Sequence, residues 1–236
     1  MNKLFILSGA SGAGKSTLLN RLVKEGYCIA TTKYTNRNRF NAVDDVSPVQ
    51  KIDGPDVRCD IIYSMYGNLY GFNLDEIYQN LQLGNVVLIT NDSSTIKKLK
   101  ESFFEQVVVI YVISDINKML LRQIYMNRHG YPSLNSIASS IEVELARGKQ
   151  GLLEGNSEVF IGSLNIINEM IDRQMMEEEG FKLRLDSILN RESLFTSGKL
   201  MFDYAVLNLY SHNTLTVHAT ESAFQQIIKI ITVETR

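Results

Sequence analysis

The residues with the most specific chemical use lie near the amino end: Gly9-Ala10-Ser11-Gly12-Ala13-Gly14-Lys15-Ser16-Thr17. They satisfy the spacing G-x-x-x-x-G-K-[ST], in which glycines let main-chain N–H groups close on an anion without interference from Cβ atoms. The Lys15 ammonium is placed to reach the β- and γ-phosphates of a nucleoside triphosphate, and the Ser16 hydroxyl can ligate Mg²⁺. A helix starting near Lys15 adds the positive end of its dipole to the same anion. A glycine-rich turn that matched by chance would lack the right flanks. Here Leu4 to Leu7 is an apolar run suited to a buried strand, and Leu18, Leu19, Leu22 and Val23 share one face of a helix. Strand, loop and helix together indicate a phosphate-binding site formed by Gly9, Ser11, Gly12, Ala13, Gly14, Lys15, Ser16 and Thr17.

The elements that would hold this loop can be followed along the chain. Cys28 to Thr31 suits a second short strand, and residues 32–55 are polar, fitting a loop or small lobe. Ile61 to Phe72 alternates around Gly67-Asn68, as an antiparallel hairpin would. Leu74 to Leu83 reads as a helix with Asn73 as its N-cap, and Gly84 ends it. Val86 to Ile89 and Val107 to Ile113 are apolar strands, with a helix from Ser94 to Phe103 between them. Asp115 caps a helix reaching about His129. Alternation of this kind predicts an α/β fold: a three-layer phosphate-loop NTPase core with a parallel sheet covered on both faces.

Beyond Ser133 the chain is helical for a long stretch, with apolar stripes at Phe160, Leu164, Ile167 and Ile171, and again at Phe181, Leu185, Ile188 and Leu189. Glu177 to Glu179 reads as a solvated helix end. Tyr204 to Leu209 suits a last core strand, and Ala223 to Ile231 a terminal helix. The predicted division is a core of residues 1–31, 84–132 and 202–236, an acceptor-binding lobe of 32–83, and a helical lid with an insertion at 133–201.

Composition narrows the function classes. A formal charge of −2 over 236 residues argues against a broad basic face for nucleic acid. Cys28 and Cys59 lack metal-ligand spacing, and two reduced thiols point to a cytoplasmic protein. The apolar stretch at the start stops at Ser8-Gly9, too soon for a secretory signal, and no apolar run is long enough for a membrane span. His129, His212 and His218 show no ligand spacing.

Leu7 to Leu19, then Thr31-Thr32-Lys33, Gly67-Asn68-Leu69-Tyr70-Gly71, Leu83 to Leu88 with an Asp beyond that strand, and Phe202-Asp203-Tyr204-Ala205-Val206-Leu207-Asn208 occur in the order found in the guanylate kinase family, which this chain resembles. The resemblance implies a phosphate-loop core, a small acceptor lobe and an arginine-bearing lid, with ATP and Mg²⁺ used to convert GMP to GDP. It assigns Tyr70 and Lys33, beside Thr32, to the acceptor phosphate. Asn73 falls in the same lobe, and Asp92 is placed near metal and acceptor. Arg122 and Arg128 would contact donor phosphates, and Asn208 would lie near the adenine. Physical readings stand beside these assignments. Tyr70 could pack the hairpin, Asp92 could cap the next helix, and each arginine could serve the surface.

The departures concern the acceptor. Asn36 stands where the family has an arginine, with Arg37 and Arg39 adjacent as substitutes. Ile61 stands where a glutamate reads guanine, and Phe72-Asn73 replaces Thr-Ser. Thr90 replaces the first of two aspartates, and Glu144 replaces a lid arginine, with Arg147 on the same helical face. Residues 151–194 have no counterpart, and their stripes suit an enlarged lid, a homodimer surface or extra core packing. The expectation is a nucleotide kinase taking a small phosphorylated acceptor, with no nucleic-acid or membrane partner. Two alternatives remain: a nucleotide-binding module without transfer, and a sugar-phosphate kinase resembling the ribose bisphosphokinase branch of the same fold.

Overall fold

In β1 (Leu4–Ser8) every residue is buried, and successive side chains serve opposite cores. Leu4 and Ile6 face one core, Phe5 and Leu7 the other, as the two-residue period of a strand requires. A strand buried on both faces needs helices on both sides, and a continuous apolar run is how such a strand is written. The computed structural model describes residues 1–37, 48–56, 58–115, 133–174, 188, 201–208 and 221–236.

Around β1 lies a five-stranded parallel sheet. Its other strands are β2 (Ile29–Ala30), β7 (Val86–Ile89), β8 (Val107–Ile113) and β9 (Tyr204–Leu207), in the order β2-β7-β1-β8-β9. The chain leaves β1 through α1 (Lys15–Lys24) toward β2 on one side. From β7 it crosses through α3 (Ser93–Phe103) to β8 on the other side. The carboxyl end of β1 is therefore the switch point at which open α/β sheets form their ligand crevice.

A second sheet, of four strands, has the order β4-β3-β6-β5. It is built from β3 (Lys33–Thr35), β4 (Val49–Lys51), β5 (Ile61–Met65) and β6 (Asn68–Phe72). Two short strands thus lie within the polar 32–55 stretch, at Lys33–Thr35 and Val49–Lys51, where the sequence predicts only a loop or small lobe. The β5–β6 hairpin turns at Tyr66-Gly67, one residue earlier than expected, with Met65 opposite Asn68. Both turn residues have positive φ, 53° and 72°, as a two-residue primed turn requires. Behind the hairpin, α2 (Leu74–Leu83) starts where Asn73 accepts the Glu76 N–H at 2.7 Å.

One core joins the Leu4/Ile6 face of the large sheet to α2, α3 and the hairpin residues Ile61, Tyr63, Tyr70 and Phe72. The second sheet is thereby fixed to the large sheet by shared burial. The other core takes α1, the terminal helix α6 (Glu221–Glu234), and part of a helical hairpin formed by α4 (Ser133–Leu153) and α5 (Ser157–Gln174). Glycines let those two helices close on each other: a Cβ at Gly151 would stand 2.7 Å from the Val159 Cβ. Ile141, Leu145, Ile167 and Ile188 are all but fully buried in the α1/α6 core, so these positions act as extra core packing. The helix expected after Asp115, at 116–129, the Phe181 stripe apart from Ile188, the glutamate run at 177–179, Leu209 and the three histidines lie outside the described residues.

Candidate active site

The loop between β1 and α1 takes its shape from three glycines with positive φ: Gly9 at 139°, Gly12 at 88° and Gly14 at 90°. Gly9 must be glycine for a second reason. A Cβ there would lie 2.5 Å from the Val112 carbonyl oxygen, so the loop rests directly on the end of β8. Gly14 precedes α1 in a left-handed conformation with no side-chain cap, leaving that helix end to main-chain groups.

Lys15 is 8% exposed, and its ammonium donates to the Gly9 and Ala10 carbonyls, each at 2.7 Å. A buried cation requires such partners. It is held above the loop by neutral acceptors, which a phosphate oxygen can replace with a stronger, charge-assisted bond. Ser16 and Thr17 are half-buried in the first turn of α1.

Two asparagines hold the loop from strand ends. Asn91, just past β7, accepts the Gly9 N–H at 2.9 Å and the Ser8 hydroxyl at 3.3 Å. Asn208, just past β9, donates its side-chain amide to the Ala13 carbonyl at 2.8 Å. Asn208 is fully buried; its N–H donates to Ile113 and its carbonyl accepts the Ser114 hydroxyl. Sequence reasoning missed Asn91, and nothing local singles it out, because its partners are more than eighty residues away.

Beside the loop is an open cleft lined by Ser16, Asn20, Thr31, Lys33, Val49 and Phe72, together with Val87, Leu88 and Ile89 of β7. The Lys33 ammonium lies 5.7 Å from the centre of the Tyr70 ring, so these two acceptor candidates are brought together. Tyr70 stacks on Tyr63, centroids 5.6 Å apart at 22°, and Tyr63 stacks in turn on Phe72. The Tyr63 hydroxyl shares a hydrogen bond with the Thr90 side chain; burial pushes this phenol well above its ordinary range, and that bond partly offsets the effect. Thr90 also accepts the Asp92 N–H at 3.2 Å. Thr32 is buried, and its N–H donates to Glu76 Oε1 at 2.6 Å.

Other candidates are committed to the framework. Asp92 Oδ2 caps α3 through the Thr95 N–H at 2.7 Å and accepts the Ser94 hydroxyl, so the capping alternative describes its bonds. Asn73 caps α2 and donates to the Arg58 carbonyl. Asn36 is tied to Leu69 through both its N–H and its side-chain oxygen, leaving the neighbouring Arg37 as the cation on that strand end. Arg37 donates its N–H to the Thr35 hydroxyl and accepts Lys51 at its carbonyl. Ile61 is 2% exposed, a core residue where the resemblance has a base-reading carboxylate. Arg147 is exposed on α4, 3.7 Å from Glu144. Arg122, Arg128 and Arg39 lie outside the described residues.

Among the described residues no group of three or more His, Cys, Asp or Glu side chains could hold a metal. The Ser16 hydroxyl, half-buried in the first turn of α1, could supply one ligand to a Mg²⁺ ion carried by phosphates and water.

A parallel sheet of this order, with a glycine-lysine loop at its switch point, is the architecture of a phosphate-loop protein. No family model matches the chain. The guanylate kinase of Wolbachia sp. subsp. Brugia malayi is 27% identical to it over 206 residues, covering 83% of this chain and 95% of that one. The guanylate kinase of Nitrosospira multiformis is 25% identical over 215 residues, covering 86% and 92%. A crystal structure of guanylate kinase from Anaplasma phagocytophilum shares the fold with a TM-score of 0.52 at 14% identity, covering 99% of this chain and 86% of that one. The chain is guanylate kinase-like. Among the described residues no helix is long and apolar enough to cross a membrane.

Proposed function

We propose that this chain moves the γ-phosphoryl group of ATP to the phosphate of a small acceptor, with GMP as the first candidate. The observation that carries the reading is the buried Lys15 ammonium, poised on two carbonyls at the switch point of the sheet, with a cleft beside the loop that is lined by Lys33, itself 5.7 Å from the Tyr70 ring.

The chemistry asks little of side chains beyond placement and charge. An acceptor phosphate oxygen, already anionic, forms a bond to the γ-phosphorus as the bond to the β,γ-bridging oxygen breaks; no general base is needed. Main-chain amides of the loop other than those of Gly9 and Ala13, which are bonded to Asn91 and Ala10, together with the Lys15 ammonium neutralise the donor tail, while Lys33, Tyr70 and Arg37 with Thr32 orient the acceptor phosphate. Mg²⁺ at Ser16 would draw charge from the β- and γ-oxygens. Asp92, which caps α3 through Oδ2, would be the acidic group near that ion. Arg122 and Arg128, in the core of residues 1–31, 84–132 and 202–236, and Arg147, in a lid of residues 133–201, are the proposed cations at the transferring group, opposite an acceptor lobe of 32–83.

One observation favours a second reading. Ile61 is sealed in the core and Asn36 is bonded to the hairpin, so the pocket lacks a guanine carboxylate at Ile61 and a second acceptor cation at Asn36. A phosphorylated sugar or another nucleotide would not need that carboxylate, nor would a module that binds nucleotide without transfer. A coupled assay with ATP, Mg²⁺ and, in turn, GMP, the other nucleoside monophosphates and ribose phosphates separates these readings. Turnover with GMP well above the others is expected. ATP binding without transfer to any of them would contradict the kinase reading and leave the module.

A further inference from the structure

We infer that Asn208 is a positioning residue for the donor phosphates, acting through the main chain of the loop. This rests on the reading of the loop as a triphosphate site, and it departs from the adenine role that the family resemblance implies for Asn208. The side chain is fully buried and its amide nitrogen donates to the Ala13 carbonyl at 2.8 Å. Its main chain is locked on both sides, to Ile113 through the N–H and to Ser114 through the carbonyl. A side chain so placed presents little to a base.

What it does present is an anchor. A trans peptide carries its carbonyl oxygen and amide hydrogen on opposite sides. Holding the Ala13 oxygen at Asn208 therefore turns the Gly14 N–H away from the strand ends that carry Asn208. Gly14 needs this help because its left-handed conformation, φ 90°, is one glycine holds only loosely. Asn91 performs the matching task at the other end, where it takes the Gly9 N–H. The two asparagines grip both ends of the loop from β7 and β9, so the amides between them are arranged before a ligand arrives, which is how an anion site gains affinity.

The test compares two ligands that share a phosphate tail: ATP, and inorganic tripolyphosphate, which has no base. Titration calorimetry on the full chain would measure both for the unsubstituted protein and for Asn208→Ala. The expected result is a loss of about tenfold in affinity for both ligands, with the ATP-to-tripolyphosphate ratio unchanged. A loss confined to ATP would restore the adenine role and overturn the inference. So would unchanged affinity for both with only a lower unfolding temperature, the mark of a purely structural residue. If Asn208→Ala does not fold, Asn208→Ser, too short to reach Ala13, is held to the same pattern. Failure of the unsubstituted protein to bind either ligand would remove the triphosphate-site reading itself, and this inference with it.

Discussion

The ring of Tyr63 lies stacked on that of Tyr70, centroids 5.6 Å apart, and the Tyr63 hydroxyl is hydrogen-bonded to Thr90 at the end of β7. The tyrosine assigned to the acceptor phosphate is thereby braced by a neighbour that reaches the large sheet, one residue before the Asn91 that holds the loop. Two small changes separate the contributions of ring and hydroxyl. Tyr63→Phe keeps the stack and removes the hydroxyl's bond to Thr90, which retains the Asp92 N–H. It is expected to cost about 1–2 kcal/mol in urea unfolding. Tyr63→Ala also opens a cavity and is expected to cost about 3–5 kcal/mol, with a raised acceptor KM among molecules that remain folded. Equal, negligible losses from both would show that the brace is not there.

Gly9 and Gly26 offer a matched pair. Both have positive φ, 139° and 77°, but a Cβ at Gly9 meets the Val112 oxygen at 2.5 Å, whereas nothing lies within 4 Å at Gly26. Gly26→Ala is expected to cost about 1 kcal/mol, from backbone strain alone. Gly9→Ala should cost more than about 2 kcal/mol and also impair nucleotide binding, because the loop must lift off β8. Denaturant midpoints and ATP titration check both; similar costs would contradict the close approach.

Much of this arrangement is legible in the sequence, and the reasons for the exceptions are physical. β7 and β8 announce themselves because strands buried on both faces are written as unbroken apolar runs, Val86 to Ile89 and Val107 to Ile113. The loop is legible because its glycines and Lys15 act on local backbone. β3 and β4 are not, being three residues each with polar Lys33, Gln50 and Lys51 among them. The hairpin turn shifts by one residue because cross-strand pairing of Met65 with Asn68, and Tyr66 accepting positive φ, fix the register. The tasks of Asn91 and Asn208 depend on partners brought close only by the parallel sheet, the Ala13–Asn208 contact spanning 195 residues.

Cys28 carries a pH expectation. Burial pushes its thiol up to about 12 from an ordinary value of 9.0. Being an acid with a raised folded-state value, it stabilises the fold fully below pH 9, and that contribution is lost as pH rises toward 12, because the unfolded chain releases the proton first. Stability should therefore fall above pH 9, the thiol contributing at most about 1.4 kcal/mol per pH unit. Tyr63 is shifted the same way, so the comparison that isolates the thiol is Cys28→Ala, in which the alkaline slope should be shallower. An unchanged slope would mean that Cys28 ionises as freely folded as unfolded. Native Cys28 should also resist iodoacetamide at pH 8, where a thiol so shifted is almost wholly protonated.

The most direct measurement concerns the Lys15 ammonium, which sits 2.7 Å from the Gly9 and Ala10 carbonyls where a triphosphate would draw it away. ATP and Mg²⁺ titrated into the protein and into Lys15→Ala should differ by about 100-fold or more in affinity, since the variant loses its charge at the β- and γ-phosphates. Equal affinity in the two proteins, with Lys15→Ala still folded, would contradict a nucleotide site at this loop.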